Sequence, residues 1–341
     1  MKINFFLNVL SIHQAPLIRK LSEIYTINIF YDELLSKERK ELGWYTPSFG
    51  SAKVCAIKDI NEKKLLKEMS EDTVNIFSGL YAYPEIQEWL DKSIKTSASN
   101  YIQMESLILN GVKGQLRRIK YKLLALKYNK KIDGVLSQGG KAQLESIGFK
   151  NVHDFAYFLD KNESVYERKN QRTNFIYVGA ISKRKRILEL VSSIGTVGNY
   201  KLDIYGSELD VPVDDLESAI NNLDNIKYKG VIKNDIILQT IKKYDYLILP
   251  SKAEGWGAVV AEALLCGVGV IVTDVAGIVS YLENHFSYGI YIEDFSDMGR
   301  VVKLMEVLSP LEVSERKKIQ NEAYCLSSEY GAKTLNLYIS Q

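Results

Sequence analysis

Along the chain, short apolar runs alternate with longer stretches in which apolar residues recur every three or four positions. Residues 3–10, 27–30, 54–57, 74–77, 101–104 and 135–136 read as short strands of a buried parallel sheet. Residues 15–24 and 65–69 have helical spacing. The stretch 161–173, KNESVYERKNQRT, is polar and without apolar period, as expected of an interdomain linker. The rhythm then restarts, with strands at 175–178, 202–205, 226–228, 246–249 and 268–272 and helices at 187–194 and 236–243. Helical stretches 297–308 and 312–327 and a tail to residue 341 finish the chain. The alternation predicts an α/β protein of parallel sheets covered by helices on both faces, with ligands at the carboxyl ends of the strands. The expected domains are 1–162, 163–325, and a C-terminal helix or tail, 326–341, returning to the first.

Composition narrows this picture. A length of 341 residues suits two cores, and 46% apolar with 25% charged residues is ordinary for a soluble globular chain. Three scattered cysteines argue against a disulfide framework or a zinc site and favour a reducing cytoplasm. The opening MKINFFLNVL reads as a first strand rather than a signal peptide, because Asn4 and Asn8 interrupt it and no small-residue cleavage site follows. No stretch is long enough to span a bilayer.

The net charge of +2 conceals an asymmetry: residues 1–162 carry 24 Lys+Arg against 18 Asp+Glu, leaving 20 against 24 for the remainder. Residues 113–131, KGQLRRIKYKLLALKYNKK, hold eight basic and no acidic residues, with Leu116, Ile119, Leu123, Leu124 and Leu126 interleaved at helical spacing. Such a helix can lie on an anionic membrane, with Lys113, Arg117, Arg118, Lys120 and Lys122 facing the surface and each contributing about 1 kcal/mol. A domain helix with a basic solvated face is the plainer alternative. Nucleic acid is not expected, since no aromatic platform or binding motif accompanies the charge.

Candidate chemistry concentrates in residues 250–277, PSKAEGWGAVVAEALLCGVGVIVTDVAG. This stretch follows one apolar run, turns through a loop into a short helix, and enters a second run: a strand–helix–strand crossover. Glu254 lies in the loop and Glu262 in the helix, with Gly255, Trp256 and Gly257 where the helix presents unpaired N–H groups. Such a start binds anions, and glycine lets a ligand approach the backbone. A phosphate site flanked by carboxylates for hydroxyls suits a nucleotide sugar. Upstream, Gly179 closes a strand, and Lys183, Arg184, Lys185 and Arg186 crowd a helix start where the dipole disfavours cations. That conflict suggests a bound polyanion. Gly206 closes the next strand. In the first half, His13 in the loop 11–14, Ser78, Gly79 and Glu105 fall at strand ends; a solvated histidine and an ordinary surface carboxylate are the plainer alternatives.

FIYVGAISKRKRI, LDIYGSE, NIKYKGVI and YDYLILPSKAEGWGAVVAEALLCGVGVIVTD, in this order, resemble the motifs of the retaining nucleotide-sugar glycosyltransferases of family 4. GVLSQGGKAQLESIGFKNVHDFAYF is similar to that family's last N-domain strand and crossover. The resemblance implies a GT-B architecture of two Rossmann-like domains facing across a cleft. It implies Glu254 on donor-sugar hydroxyls, Glu262 on the nucleotide ribose, backbone N–H groups of Gly257, Ala258 and Val259 facing the diphosphate, and Lys185 neutralising it. The family often has arginine directly after the strand-ending glycine; this chain has Ala180, so Lys183 or Arg184 would substitute. His13 or Glu105 would orient the acceptor. No Asp-x-Asp triplet is present, so no metal or other cofactor is expected. The implied partners are a UDP- or GDP-sugar donor and a glycan or lipid-linked acceptor in cell-surface polysaccharide synthesis, at the inner face of the cell membrane. A non-catalytic nucleotide-sugar-binding subunit and a sugar-nucleotide epimerase of similar fold are the alternatives.

Overall fold

The structure, a computed structural model, describes residues 1–37, 40, 45–80, 83–109, 111–162, 164, 166, 172–194 and 198–340. The chain divides into two compact units. Described residues of Met1–Lys40, Tyr45–Asp160 and Leu326–Gln341 form the first, and those of Lys161–Cys325 belong to the second. The division between units falls at Asp160/Lys161, just ahead of the expected 162/163. Much of the expected linker lies outside the described residues.

In the first unit, strands β1 (Lys2–Val9), β2 (Thr26–Glu33), β3 (Lys53–Ala56), β4 (Thr73–Ser78), β5 (Ser99–Glu105), β6 (Gly134–Gln138) and β7 (Val152–Phe155) form a parallel sheet ordered β3-β2-β1-β4-β5-β6-β7. Helices α1 (Ala15–Leu21), α2 (Glu62–Glu68), α3 (Pro84–Ser93), α4 (Gly111–Tyr128) and α5 (Lys141–Ile147) connect them. The asparagine that interrupts the first apolar run has a structural reason. Asn28, Asn4, Asn75 and Asn100 share one register across β2, β1, β4 and β5. The Asn28 amide donates to Asn4 Oδ1 (2.8 Å) and the Asn4 amide to Asn75 Oδ1 (2.8 Å). The Asn75 amide donates to Ser93 Oγ on α3 (2.9 Å). A one-residue slip would break this row, at about 1–3 kcal/mol for each buried polar group left unpaired. Phe6, stacked on Phe77 and Trp89, packs in the core beside the row. Register is thereby pinned, and the carboxyl ends of β1, β4, β5 and β6 emerge together.

The second unit contains β8 (Thr173–Val178), α6 (Ile187–Ser192), β9 (Tyr200–Tyr205), α7 (Val213–Ile220), β10 (Ile226–Tyr228), α8 (Ile237–Ile241), β11 (Tyr246–Leu249), α9 (Ala258–Leu265), β12 (Gly269–Thr273), α10 (Gly277–His285), β13 (Ile290–Glu293), α11 (Met298–Val307) and α12 (Val313–Glu322). Its strands are parallel, in the order β10-β9-β8-β11-β12-β13. Asp245, fully buried just before β11, organises their amino ends. Its carboxylate accepts the Asn174 N–H (2.8 Å), the Leu311 N–H (3.2 Å) and Arg316 Nη2 from α12 (2.7 Å), while its carbonyl accepts the Gly269 N–H (2.9 Å). Both partners of the ion pair are inaccessible to solvent.

The last helix, α13 (Ser328–Ile339), belongs to the first unit and packs on α1; Tyr101 Oη donates to the Tyr338 carbonyl (2.9 Å). The expected single helix over 312–327 is two elements. α12 ends at Glu322, a 3₁₀ turn follows over Ala323–Leu326, and Ser327 caps α13 by accepting the Tyr330 N–H (3.2 Å). Apolar spacing does not predict α3, α7, α10, β7 or β13. β7, VHDF, carries two polar residues in four and closes the sheet edge, so it lacks the continuous apolarity of a central strand.

Removing one member of a buried ion pair strands the other, which costs about 3–5 kcal/mol. Asp245→Ala is therefore expected to destabilise the second unit by that amount in urea unfolding; a loss below about 1 kcal/mol would contradict the anchoring role.

Candidate functional site

The carboxyl ends of β8, β9 and β11 bring together most of the residues singled out in the second half of the sequence. After β8 the chain turns at Gly179, whose N–H donates to the Tyr205 carbonyl (3.0 Å). A Cβ on Gly179 would meet Tyr177 Oη at 3.0 Å and Lys185 Cε at 3.7 Å, so the glycine leaves room for the Lys185 side chain. Gly206 packs directly against that turn: a Cβ there would sit 1.8 Å from the Gly179 carbonyl oxygen. Two adjacent βα turns are thus held in backbone contact.

Across from them, β11 runs into the loop 250–257. Glu254 Oε2 accepts hydrogen bonds from Lys185 Nζ and from Ser251 Oγ (3.1 Å). Arg184 Nη1 donates to the Ala253 carbonyl (2.7 Å) and lies 3.5 Å from Glu254 Oε2. The Lys185 and Glu254 side chains are each 12% exposed. Burial pulls the Lys185 ammonium below its ordinary pKa, opposed by the Glu254 charge, and the nearby Arg184 lowers it further. Burial, with the Glu254 charge second, pushes the Tyr177 phenol up, and its hydroxyl donates to the Ala180 carbonyl (2.8 Å). An ammonium has three N–H donors, so Lys185 can hold Glu254 and still offer hydrogen bonds to an anion.

Gly257, at φ +91°, is the left-handed N-cap from which α9 starts, and half-buried Ala258 and Val259 are its first residues. The loop is braced by α10, whose Gly277 and Ile278 N–H groups donate to the Gly255 (2.8 Å) and Trp256 (3.0 Å) carbonyls. Glu262 lies farther along α9 and is buried. Three residues sit differently from the sequence expectation. The Trp256 indole is core, packed edge-on against Tyr281, which removes its side chain from ligand contact. Lys183 is exposed, with its backbone N–H on Asp210 (2.9 Å), and it makes no ion pair with Glu254, whose cationic partners are Arg184 and Lys185. Arg186 reaches Glu189 (2.8 Å), so the run of four cations disperses instead of converging.

The first unit has its own polar cavity of about 310 Å³ at the carboxyl ends of its strands. Gln14, Ser78, Gln103, Glu105, Gln138 and Tyr157 line it. Glu105 Oε1 accepts from Tyr157 Oη (2.6 Å), and Ser78 Oγ donates to Gln103 Oε1 (3.0 Å). Gln14 Oε1 and Gln138 Nε2 are shielded from solvent and have no hydrogen-bond partner among the described residues, the condition of groups that await a ligand or water. His13 is not in this wall; its ring lies 6.1 Å from that of Tyr157. On α4, exposed Arg117 donates to the Ile108 carbonyl (2.6 Å) and exposed Arg118 to Ser146 (3.3 Å), so both have a partner within their own unit.

Residues 160–324 match the family model described as "Glycosyl transferases group 1". The match spans nearly half of the chain, and the protein is a transferase. An uncharacterized 41.2 kDa protein of the cps region of Klebsiella pneumoniae is 27% identical over 142 residues, 41% of this chain and 38% of that one. The uncharacterized glycosyltransferase MJ1178 of Methanocaldococcus jannaschii is 24% identical over 316 residues, 90% of this chain and 87% of its own. Among solved structures, Anabaena Alr3699/HepE in complex with UDP has a TM-score of 0.74 at 12% identity, covering 100% of both chains. The lipopolysaccharide outer core galactosyltransferase WaaB, in its apo form, has 0.70 at 16%, covering 100% and 99%. At such identities the likeness shows the fold: the transferase has the GT-B architecture of two Rossmann-like units.

The transferase's turns tolerate no side chain where Gly206 meets Gly179. Gly206→Ala is expected to cost at least about 1–3 kcal/mol by overpacking, read as a lowered melting temperature; an unchanged melting temperature would mean the two turns are not in contact.

Proposed function

We propose that the protein transfers a sugar from a UDP- or GDP-sugar to a hydroxyl of a glycan or lipid-linked acceptor, with retention of configuration and without a metal ion, in cell-surface polysaccharide synthesis. The Lys185–Glu254 pair beside the start of α9 carries this reading. Glycosyl transfer leaves negative charge on the departing diphosphate while the sugar becomes oxocarbenium-like. Lys185, Arg184 and the first N–H groups of α9 stabilise that charge as it develops, in fixed positions that need no reorganisation. Glu254 accepts hydroxyls of the donor sugar, and Glu262 the ribose. A phosphate oxygen of the donor takes the acceptor proton, so Glu254 is not the base. The cavity of the first unit holds the acceptor: its lining of amides, hydroxyls and one carboxylate suits an uncharged, hydroxyl-rich ligand, with Glu105 positioned by Tyr157.

The complexes of Anabaena HepE with UDP, and the naming of relatives for a galactosyltransferase and a cps region, support the donor class and the polysaccharide setting. Metal independence rests on the absence of an Asp-x-Asp triplet and on the cations that stand in for one.

Purified protein should release nucleoside diphosphate from a UDP- or GDP-sugar, and Glu254→Ala should lower kcat/KM by about 100-fold, the weight of a lost charged hydrogen bond. Tight nucleotide-sugar binding without turnover would favour a binding subunit. Full activity should persist in EDTA; loss in EDTA restored by Mg²⁺ would contradict the metal-free mechanism.

A further inference from the structure

Helix α4 buries one face and leaves the opposite one uncovered. Gly114, Leu124, Ala125 and Tyr128 pack inward. Val112, Leu116, Ile119, Leu123 and Leu126 are between 58% and 80% exposed. At about 100° per residue these five fall within an arc of about 80°, a continuous apolar stripe along the helix. Lys113 and Lys120 flank it on one side and Lys122 on the other, and residues 111–131 include no acidic residue. Stripes of this kind on otherwise charged surfaces mark interaction sites.

We propose that this face of α4 docks on an anionic lipid bilayer, with the helix lying in the interface plane. The five apolar side chains enter the acyl boundary while the lysine stems extend along them and place their ammonium groups at the headgroup phosphates. Charge decides against a second copy of the chain. The 4-3-4-3 spacing of the stripe would suit a coiled-coil seam, but its flanks are cationic on both sides, and two such helices would repel where paired seams place opposite charges. An anionic bilayer complements the stripe and its flanks together. Tyr121, on the buried side of the same helix, lines the polar cavity of the first unit, so docking would set that cavity close to the lipid surface. The docking surface stands independently of the donor site.

The test is co-sedimentation of the full chain with vesicles of phosphatidylcholine, alone or mixed with an equal amount of phosphatidylglycerol, together with sedimentation velocity in the absence of lipid. The protein should pellet with the anionic vesicles, less with the neutral ones, and less as salt rises. Leu116→Ser with Leu123→Ser should reduce the bound fraction at least tenfold. Lys113→Glu with Lys122→Glu should abolish the preference for anionic lipid. These residues are exposed, so both variants should unfold at the wild-type temperature. Binding unaffected by either pair would overturn the proposal. So would a lipid-free dimer that Leu116→Ser with Leu123→Ser converts to monomer, with no vesicle binding.

Discussion

A carboxylate without access to water holds the second unit in register. Asp245 gathers the amino ends of β8, β11 and β12 and the buried guanidinium of α12 around one side chain. Burial pulls the Arg316 pKa down, and the 2.7 Å ion pair with Asp245, whose carboxylate also accepts the Asn174 and Leu311 N–H groups, offsets the cost of keeping both ions from solvent. Four residues later in the same strand, the chain emerges as the loop that carries Glu254. A fixed amino end and a short strand leave the loop little freedom, and that precision lets a lysine from another turn find it.

The Lys185–Glu254 pair is the functional consequence. It spans two βα turns and keeps two largely buried charges mutually satisfied. In the proposed donor site, a diphosphate at the start of α9 would meet an ammonium already held by a carboxylate, so the site would be preorganised rather than assembled by the ligand. The first unit obtains its polar cavity by a neutral version of the same device, in which a row of buried asparagines sets the register and the strand ends deliver amides and one carboxylate.

Sequence was most informative where chemistry and periodicity were local. The crossover with Glu254 and Glu262, the glycines closing β8 and β9, and both parallel sheets are readable from short apolar runs and the turns after them. The partnership of Lys185 with Glu254 was not, because it depends on β8 and β11 being neighbours in the sheet. Trp256 lies in a glycine-rich loop that invites a ligand, yet its side chain turns into the core. Helical spacing identified α4 but not its buried face: of the five apolar residues that mark it in sequence, only Leu124 is buried. Gln14 and Gln138 carry no pattern at all, and only the closed geometry around them reveals an amide oxygen and an amide nitrogen without partners among the described residues.

The central claim is that Lys185 and Glu254 divide the donor between them, diphosphate to one and sugar to the other. Calorimetric titration with the nucleoside diphosphate that binds, UDP or GDP, and with its sugar conjugate tests this directly. Lys185→Ala should weaken both ligands alike, whereas Glu254→Ala should remove the extra affinity of the conjugate and leave the nucleotide close to wild type. Equal losses for both ligands in Glu254→Ala, or undiminished nucleotide binding in Lys185→Ala, would contradict it.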